Sequence, residues 1–383
     1  MKSFNFCNRY YKINNKNIPD SDFTMNELIL SRLIKALTWR RIVNLIKTGL
    51  SFLLSSLTGK NIIWGRPTIL TIEPTNICNL RCPLCTTGSG EMERANGKMS
   101  LETFENIINK MGDDLFFLLL YHQGEPYINQ HFLDFIKLAK SKNIYCTTST
   151  NAHYFSDKLI HQTIDSGLDS MIVSLDGVTQ QSYETYRVKG NLDKVINNMK
   201  RFMEIRHERK SKTPLIALQF LVMKHNEGEI PAMKKLAREI GVDRLLIKNI
   251  EVRSLEEAKQ WLPINDKYRR YRFDGQNFEV KNSNKKSCPR PWLSTLINWD
   301  GTIVPCCFDK NGKYDMGNIN DAADINELWL GQKFTAFRNR LNTNRKSIDI
   351  CRNCNQGFGS FIPEFGKKSK EEENKSSFQI INQ

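Results

Sequence analysis

Three cysteines, Cys78, Cys82 and Cys85, stand in the run Cys78-Asn79-Leu80-Arg81-Cys82-Pro83-Leu84-Cys85. Three thiolates hold three irons of a four-iron cubane and leave the fourth open, and an open iron binds a small molecule and passes it an electron. That is a catalytic arrangement. Five further cysteines, Cys288, Cys306, Cys307, Cys351 and Cys354, crowd the C-terminal quarter, whereas Cys7 and Cys146 stand apart. Zinc stays open as the alternative for both groups, because spacing alone does not name the metal.

Such ligands need a scaffold. From Thr68 onward short apolar runs alternate with amphipathic stretches, the pattern of parallel strands joined by crossover helices. The runs predict strands over Ile69 to Glu73, Leu115 to His122, Ile144 to Thr148, Ser170 to Leu175, Leu215 to Met223 and Arg244 to Lys248. Helices are predicted near 101–111, 130–142, 155–166, 191–209 and 229–240. The fold class is therefore α/β, a partial (β/α)6 barrel, whose chemistry gathers at the carboxyl ends of the strands.

Each remaining motif falls at such an end. Gln123-Gly124-Glu125-Pro126 follows the second strand, Ser149-Thr150-Asn151 the third, and Ser174-Leu175-Asp176-Gly177 the fourth, with Tyr183, Tyr186 and Arg187 beyond it; Leu221, Val222 and Met223 end the fifth. Together with cysteines spaced by three and two residues, this order resembles the radical S-adenosylmethionine enzymes. Leu84 stands where that family often has an aromatic residue. The resemblance implies that Cys78, Cys82 and Cys85 carry a four-iron cluster with one open iron for S-adenosylmethionine. It further implies that Gln123 to Pro126 hold the methionine amino group through backbone carbonyls and Glu125. Ser149, Thr150 and Asn151 would lie near the ribose and carboxylate, Ser174 and Arg187 at the carboxylate, and Met223 against adenine.

Cys288 is followed by twelve residues, Gly301, four residues and Cys306, with Cys307, Cys351 and Cys354 beyond. This resembles the SPASM or twitch extension behind many radical enzymes, and implies one auxiliary four-iron cluster on Cys288, Cys306, Cys351 and Cys354. Cys307 is then surplus: a buried thiol, a spare ligand or a hydrogen-atom donor.

The resemblance implies reductive cleavage of S-adenosylmethionine to a 5′-deoxyadenosyl radical that abstracts a substrate hydrogen, with electrons from a reductase, flavodoxin-like or ferredoxin-like donor. Oxidation of a polyol or amino sugar, with the auxiliary cluster taking an electron, is the leading expectation. Return of a hydrogen from Cys307 or Cys146 would give an epimerase instead, and a bound peptide would be matured or cross-linked.

The chain has 383 residues, 40% hydrophobic and 25% charged, enough for a large core or two smaller ones. No secretory h-region opens it, so a cytoplasmic setting with reduced thiols is expected. Of the formal charge of +15, +8 comes from residues 1–66, where eleven Lys or Arg face Asp20, Asp22 and Glu27. That leader carries Leu30, Leu33, Ile34, Leu37, Ile42, Leu45 and Ile46 at helical spacing between basic residues. A helical pair packed on the barrel is the favoured expectation and peripheral contact with a membrane the other. Its aromatic and basic residues follow helical spacing rather than an interleaved stacking pattern, which argues against nucleic acid. A metal-stabilised scaffold or membrane adaptor without turnover is the alternative of another class. The expected division is leader 1–66, barrel 67–250, linker 251–287, cluster domain 288–357 and disordered tail 358–383.

Overall fold

The computed structural model describes residues 9–11, 21–281, 288–352 and 354. Cys7, part of the expected linker and the expected tail lie outside them.

Strand β1 (Arg9–Tyr11) and helices α1 (Ser21–Ala36) and α2 (Trp39–Thr58) precede the barrel strand β2 (Ile69–Ile72). The cysteine loop runs into the short helix α3 (Thr86–Ser89). Then α4 (Leu101–Met111), β3 (Phe117–Leu119), α5 (Phe132–Ser141), β4 (Tyr145–Thr150), α6 (Asp157–Asp165) and β5 (Ser170–Ser174) alternate. They are followed by α7 (Gln180–Tyr186), α8 (Leu192–Glu208), β6 (Leu215–Val222), α9 (Ile230–Ile240) and β7 (Arg244–Asn249). Strands β2 to β7 pair in parallel with their chain neighbours, as the alternating pattern requires.

Sequence spacing explains the outer layer. In α4, Ser100 accepts from the Thr103 amide, and Phe104, Ile107, Ile108 and Met111 form the buried stripe. In α9 the stripe is Ile230, Met233, Ala237 and Ile240, ended by Gly241 in the left-handed region. These side chains share one core with Met171, Val173, Ile216, Leu218 and Phe220 of the sheet. The alternate strand positions Ile172, Leu215, Ala217 and Leu246 point to the other face, where α1 places Ile29 and Leu33 against them. Arg32 of α1 reaches the fully buried Asp169 at 2.6 Å.

Two features depart from the expected layout. Residues 251–281, within the expected linker, carry elements of their own: α10 (Leu255–Trp261) precedes an antiparallel pair, β8 (Tyr271–Phe273) and β9 (Phe278–Val280). Trp261, Leu262 and Tyr271 join Leu80, Leu84, Tyr186 and Met223 in one buried apolar group, so this segment covers the cysteine loop. The C-terminal part also enters the barrel sheet. After α11 (Arg290–Leu293), β10 (Ser294–Ile297) pairs in parallel with β2, and β11 (Ile303–Val304) turns back on β10. Helices α12 (Ile325–Trp329), α13 (Gln332–Asn344) and α14 (Asp349–Arg352) complete the described chain. With β1 antiparallel on β7, the sheet reads β1-β7-β6-β5-β4-β3-β2-β10-β11.

Candidate active site

The loop after β2 carries Cys78, Cys82 and Cys85 at the carboxyl end of the sheet. Its path is fixed by backbone bonds, Arg81 N to Val188 O at 3.0 Å and Cys85 N to Cys82 O at 3.1 Å. Gly88 lets α3 lie against it, since a Cβ there would meet Cys82 N at 2.5 Å and Cys82 O at 2.6 Å. Donors converge on the sulfurs. The Leu80 amide lies 3.4 Å from Cys78 Sγ, Asn151 Nδ2 3.9 Å from the same atom, and Arg187 Nη1 3.6 Å from Cys82 Sγ. Burial pushes the Cys78 thiol up to about 12 and raises Cys82 too, against the opposing charge of Arg187.

The turn after β3 is braced against the same loop. Gly124 has φ +72°, and a Cβ there would strike Thr75 O at 2.4 Å, so only glycine fits this close approach. Gln123 Oε1 accepts from Thr87 Oγ1 at 3.1 Å and lies 3.7 Å from Cys85 Sγ. Glu125 is buried and accepts from Thr150 Oγ1 at 2.7 Å, the Asn151 amide at 2.8 Å and the Tyr127 amide at 3.4 Å. Burial nevertheless raises its carboxyl to about 7. Its carboxylate thus ties the second strand end to the third, and Pro126 opens a 3-10 turn over Pro126–Ile128.

Ser149 and Thr150 are the last residues of β4, inside the strand rather than after it, and Ser174 closes β5. Asn151 donates to Asn79 Oδ1 at 2.8 Å. His153 holds it there: the Asn191 amide donates to His153 Nε2 at 3.0 Å, so the neutral ring carries its proton on Nδ1, 3.0 Å from Asn151 O and Oδ1. Arg187, its side chain 13% exposed, is paired with Asp176 at 2.6 Å, and Asp176 Oδ1 accepts from the Leu221 amide at 2.7 Å. Met223 is fully buried among Leu80, Leu84, Tyr186 and Trp261.

Asn79, His153 and Asp176 were not singled out by sequence. Asp176 stands inside the quoted Ser-Leu-Asp-Gly run and Asn79 inside the cysteine run, so their positions were in view. His153 carried no signal.

The C-terminal thiols also meet. Arg290, at the start of α11, is partly buried with Cys307, Cys306, Cys288 and Cys354 around it, and Cys351 lies beside Cys288 and Cys354. Arg290 Nη1 is 3.8 Å from Cys307 Sγ. Cys306 is held protonated by its bond to Cys307, and that same bond, with Arg290, pulls Cys307 down. Cys146 is different: it packs in the core between sheet and helices, its thiol 3.5 Å from Ile144 O, and does not face the barrel mouth. That placement removes it as a hydrogen-atom donor.

Both donor sets fit iron–sulfur clusters. They are thiols with polar hydrogens aimed at sulfur, the environment that sets cluster potentials. Among the described residues no three His, Cys, Asp or Glu side chains are arranged to hold a single metal ion, and a cubane instead takes one thiolate at each of several corners.

Comparison with known proteins agrees. Residues 72–237 match the Radical SAM superfamily, and residues 288–355 match SPASM, an iron-sulfur cluster-binding domain. The chain is 24% identical over 300 residues to a tungsten-containing aldehyde ferredoxin oxidoreductase cofactor-modifying protein of Pyrococcus furiosus, covering 70% of this chain and 82% of that one. It is 25% identical over 291 residues to a PqqA peptide cyclase of Gluconobacter oxydans, covering 71% and 79%. Streptococcus suis SuiB bound to S-adenosylmethionine has the same fold at TM-score 0.54 and 17% identity, covering 79% of this chain and 75% of that chain. With the cysteine loop at the mouth of a parallel barrel and a second thiol group behind it, the chain belongs to the radical S-adenosylmethionine superfamily with a C-terminal SPASM domain, and its cofactors are four-iron clusters and S-adenosylmethionine.

Proposed function

We propose that this radical S-adenosylmethionine enzyme is an oxidoreductase that dehydrogenates a hydroxyl-bearing carbon of a polyol, amino sugar or related small molecule. The observation that carries the reading is the number of thiols around Arg290. Cys288, Cys306, Cys351 and Cys354 suffice for one fully ligated auxiliary cluster, Cys307 is left beside them, and Cys146 is in the core.

Cys78, Cys82 and Cys85 would hold the first cluster and Cys288, Cys306, Cys351 and Cys354 the second. Bound there, the clusters supply the electron that cleaves S-adenosylmethionine and an acceptor for the electron given up when a substrate radical becomes a ketone. The chain must position the substrate, exclude water and take the hydroxyl proton. His122 suits the first task. It lies three residues past β3, its Nε2 is buried without a hydrogen-bond partner among the described residues, and burial with nearby Lys310 and Arg94 pushes it down to about 3, so the neutral ring accepts a hydrogen bond from the substrate hydroxyl rather than its proton. Arg94 holds the neighbouring wall, donating to Glu73 at 2.7 Å and to Lys310 O at 2.8 Å. The covering segment 251–281 shields the cysteine loop from water.

The test is anaerobic turnover of reconstituted protein with S-adenosylmethionine, dithionite and a panel of polyols and amino sugars. Ketone and 5′-deoxyadenosine in equal amounts support the reading. Cys351→Ala and His122→Gln should then lose ketone while still releasing 5′-deoxyadenosine; unchanged ketone in Cys351→Ala sinks it. A second reading, peptide maturation, is supported by the likeness to PqqA peptide cyclase. It predicts that small polyols do nothing and that a short peptide gains a cross-link, read by mass spectrometry.

A further inference from the structure

Helix α2 presents to the barrel the face that a helix normally gives to water. Its buried residues are Arg41, Asn44, Thr48, Ser51 and Ser55, spaced three and four apart. The polar groups are satisfied inside. Arg41, 2% exposed, donates to the carbonyls of Ala36, Gly112, Lys142 and Asn143. Asn44 exchanges hydrogen bonds with the backbone of Arg66, and Ser55 accepts from Trp292 Nε1 at 3.1 Å.

The opposite stripe, Trp39, Ile46, Leu50, Leu53 and Leu57, is exposed, Trp39 by 79% and Leu57 by 74%. Trp64 just beyond the helix is exposed as well. A contiguous apolar surface of this kind marks a docking face. Its net charge is positive, although Asp113 and Asp114 pair with Arg40 at the start of the helix. Between Glu27 and Glu73 the chain has no Asp or Glu and seven Lys or Arg, of which Lys35, Lys47 and Lys60 are exposed. A second copy would bring the same positive charge and be repelled, whereas anionic headgroups complement it. Leu and Ile side chains entering the acyl boundary, Trp at the headgroup level and Lys at the phosphates describe a helix lying in a lipid interface. Among the described residues no helix is long and apolar enough to cross a membrane, which leaves the surface geometry.

We propose that α2 docks the chain on an anionic lipid bilayer through the stripe from Trp39 to Leu57. The carbonyls held by Arg41 precede β3 and β4, so the helix lies at the amino ends of the strands. The cysteine loop lies at the other end, and the barrel mouth faces away from the lipid.

The test is flotation of the reconstituted full chain with vesicles of phosphatidylcholine alone or mixed equally with phosphatidylglycerol, beside light scattering without vesicles. The chain floats with the anionic vesicles only, and added salt weakens it. Lys47→Gln with Lys60→Gln lowers partitioning about twenty-five-fold, roughly fivefold for each charge. Ile46→Asp with Leu50→Asp and Leu53→Asp abolishes flotation while 5′-deoxyadenosine release stays at the parent's rate, which shows that the fold persists. No flotation, equal flotation with neutral vesicles, or a dimer split by the same aspartates overturns the proposal.

Discussion

Arg187 stands between Asp176 and Cys82: it meets the Asp176 carboxylate at 2.6 Å and brings Nη1 to 3.6 Å from the Cys82 sulfur. A largely shielded cation beside a ligand thiolate favours the more negative, reduced form of a cluster. In Arg187→Gln the first cluster is therefore harder to reduce, its midpoint moving to more negative potential in a redox titration followed by electron paramagnetic resonance. The variant also leaves Asp176 buried and unpaired, a loss of about 3–5 kcal/mol in stability. Adding Asp176→Asn restores part of that stability without restoring the potential, which separates the two effects.

Glu125 makes a pH prediction. Burial raises its carboxyl to about 7 from an ordinary 4.5. Between those values the folded chain holds a proton that the unfolded chain has released, so raising the pH through this window removes stability. The loss is about 3 kcal/mol over the whole window. Thermal melts of the metal-free protein across that range should show this slope in the parent and a flatter one in Glu125→Gln; parallel slopes would show that the carboxyl titrates as it does in water.

Gly88→Ala drives a methyl group into the backbone of Cys82, at 2.5 Å from its nitrogen. Backbone cannot swing aside as a long side chain can, so the cysteine loop must shift. Reconstitution should yield roughly four irons per chain instead of roughly eight, with no 5′-deoxyadenosine. Iron analysis with circular dichroism distinguishes this from global unfolding.

Cys146 serves as the contrast. Packed behind the sheet, it can be replaced by alanine at a cost of roughly 1–2 kcal/mol of stability with product stereochemistry and turnover unchanged. A changed product would return it to the mechanism.

The barrel was legible because its signals are local. Apolar runs of strand length and stripes such as Phe104, Ile107, Ile108 and Met111 fix β2 to β7 and the helices between them to within a few residues. The cysteines, Gly124 and Arg187 were legible because their chemistry or backbone freedom is rare. What failed was anything dependent on a partner distant in sequence. Ser294–Ile297 and Ile303–Val304 are too short to announce that they extend the sheet. Residues 251–281 hold no familiar motif, yet Trp261 and Tyr271 give them a buried footing over the cysteine loop. Periodicity found the stripe on α2 but could not give its direction, because hydrogen bonds from Arg41, Asn44 and Ser55 make a polar face the inner one.

The parallel ladder between Ile69–Ile72 and Ser294–Ile297 has a wider meaning. The cysteine loop follows β2, and Cys288 and Cys306 flank the β10–β11 pair that continues the same sheet, whose neighbouring strands lie roughly 4.8 Å apart. Hinge motion between the barrel and the β10–β11 pair would therefore have to tear that ladder. The cysteine loop and the C-terminal thiols are thus framed by one continuous sheet rather than carried on two bodies joined by a linker.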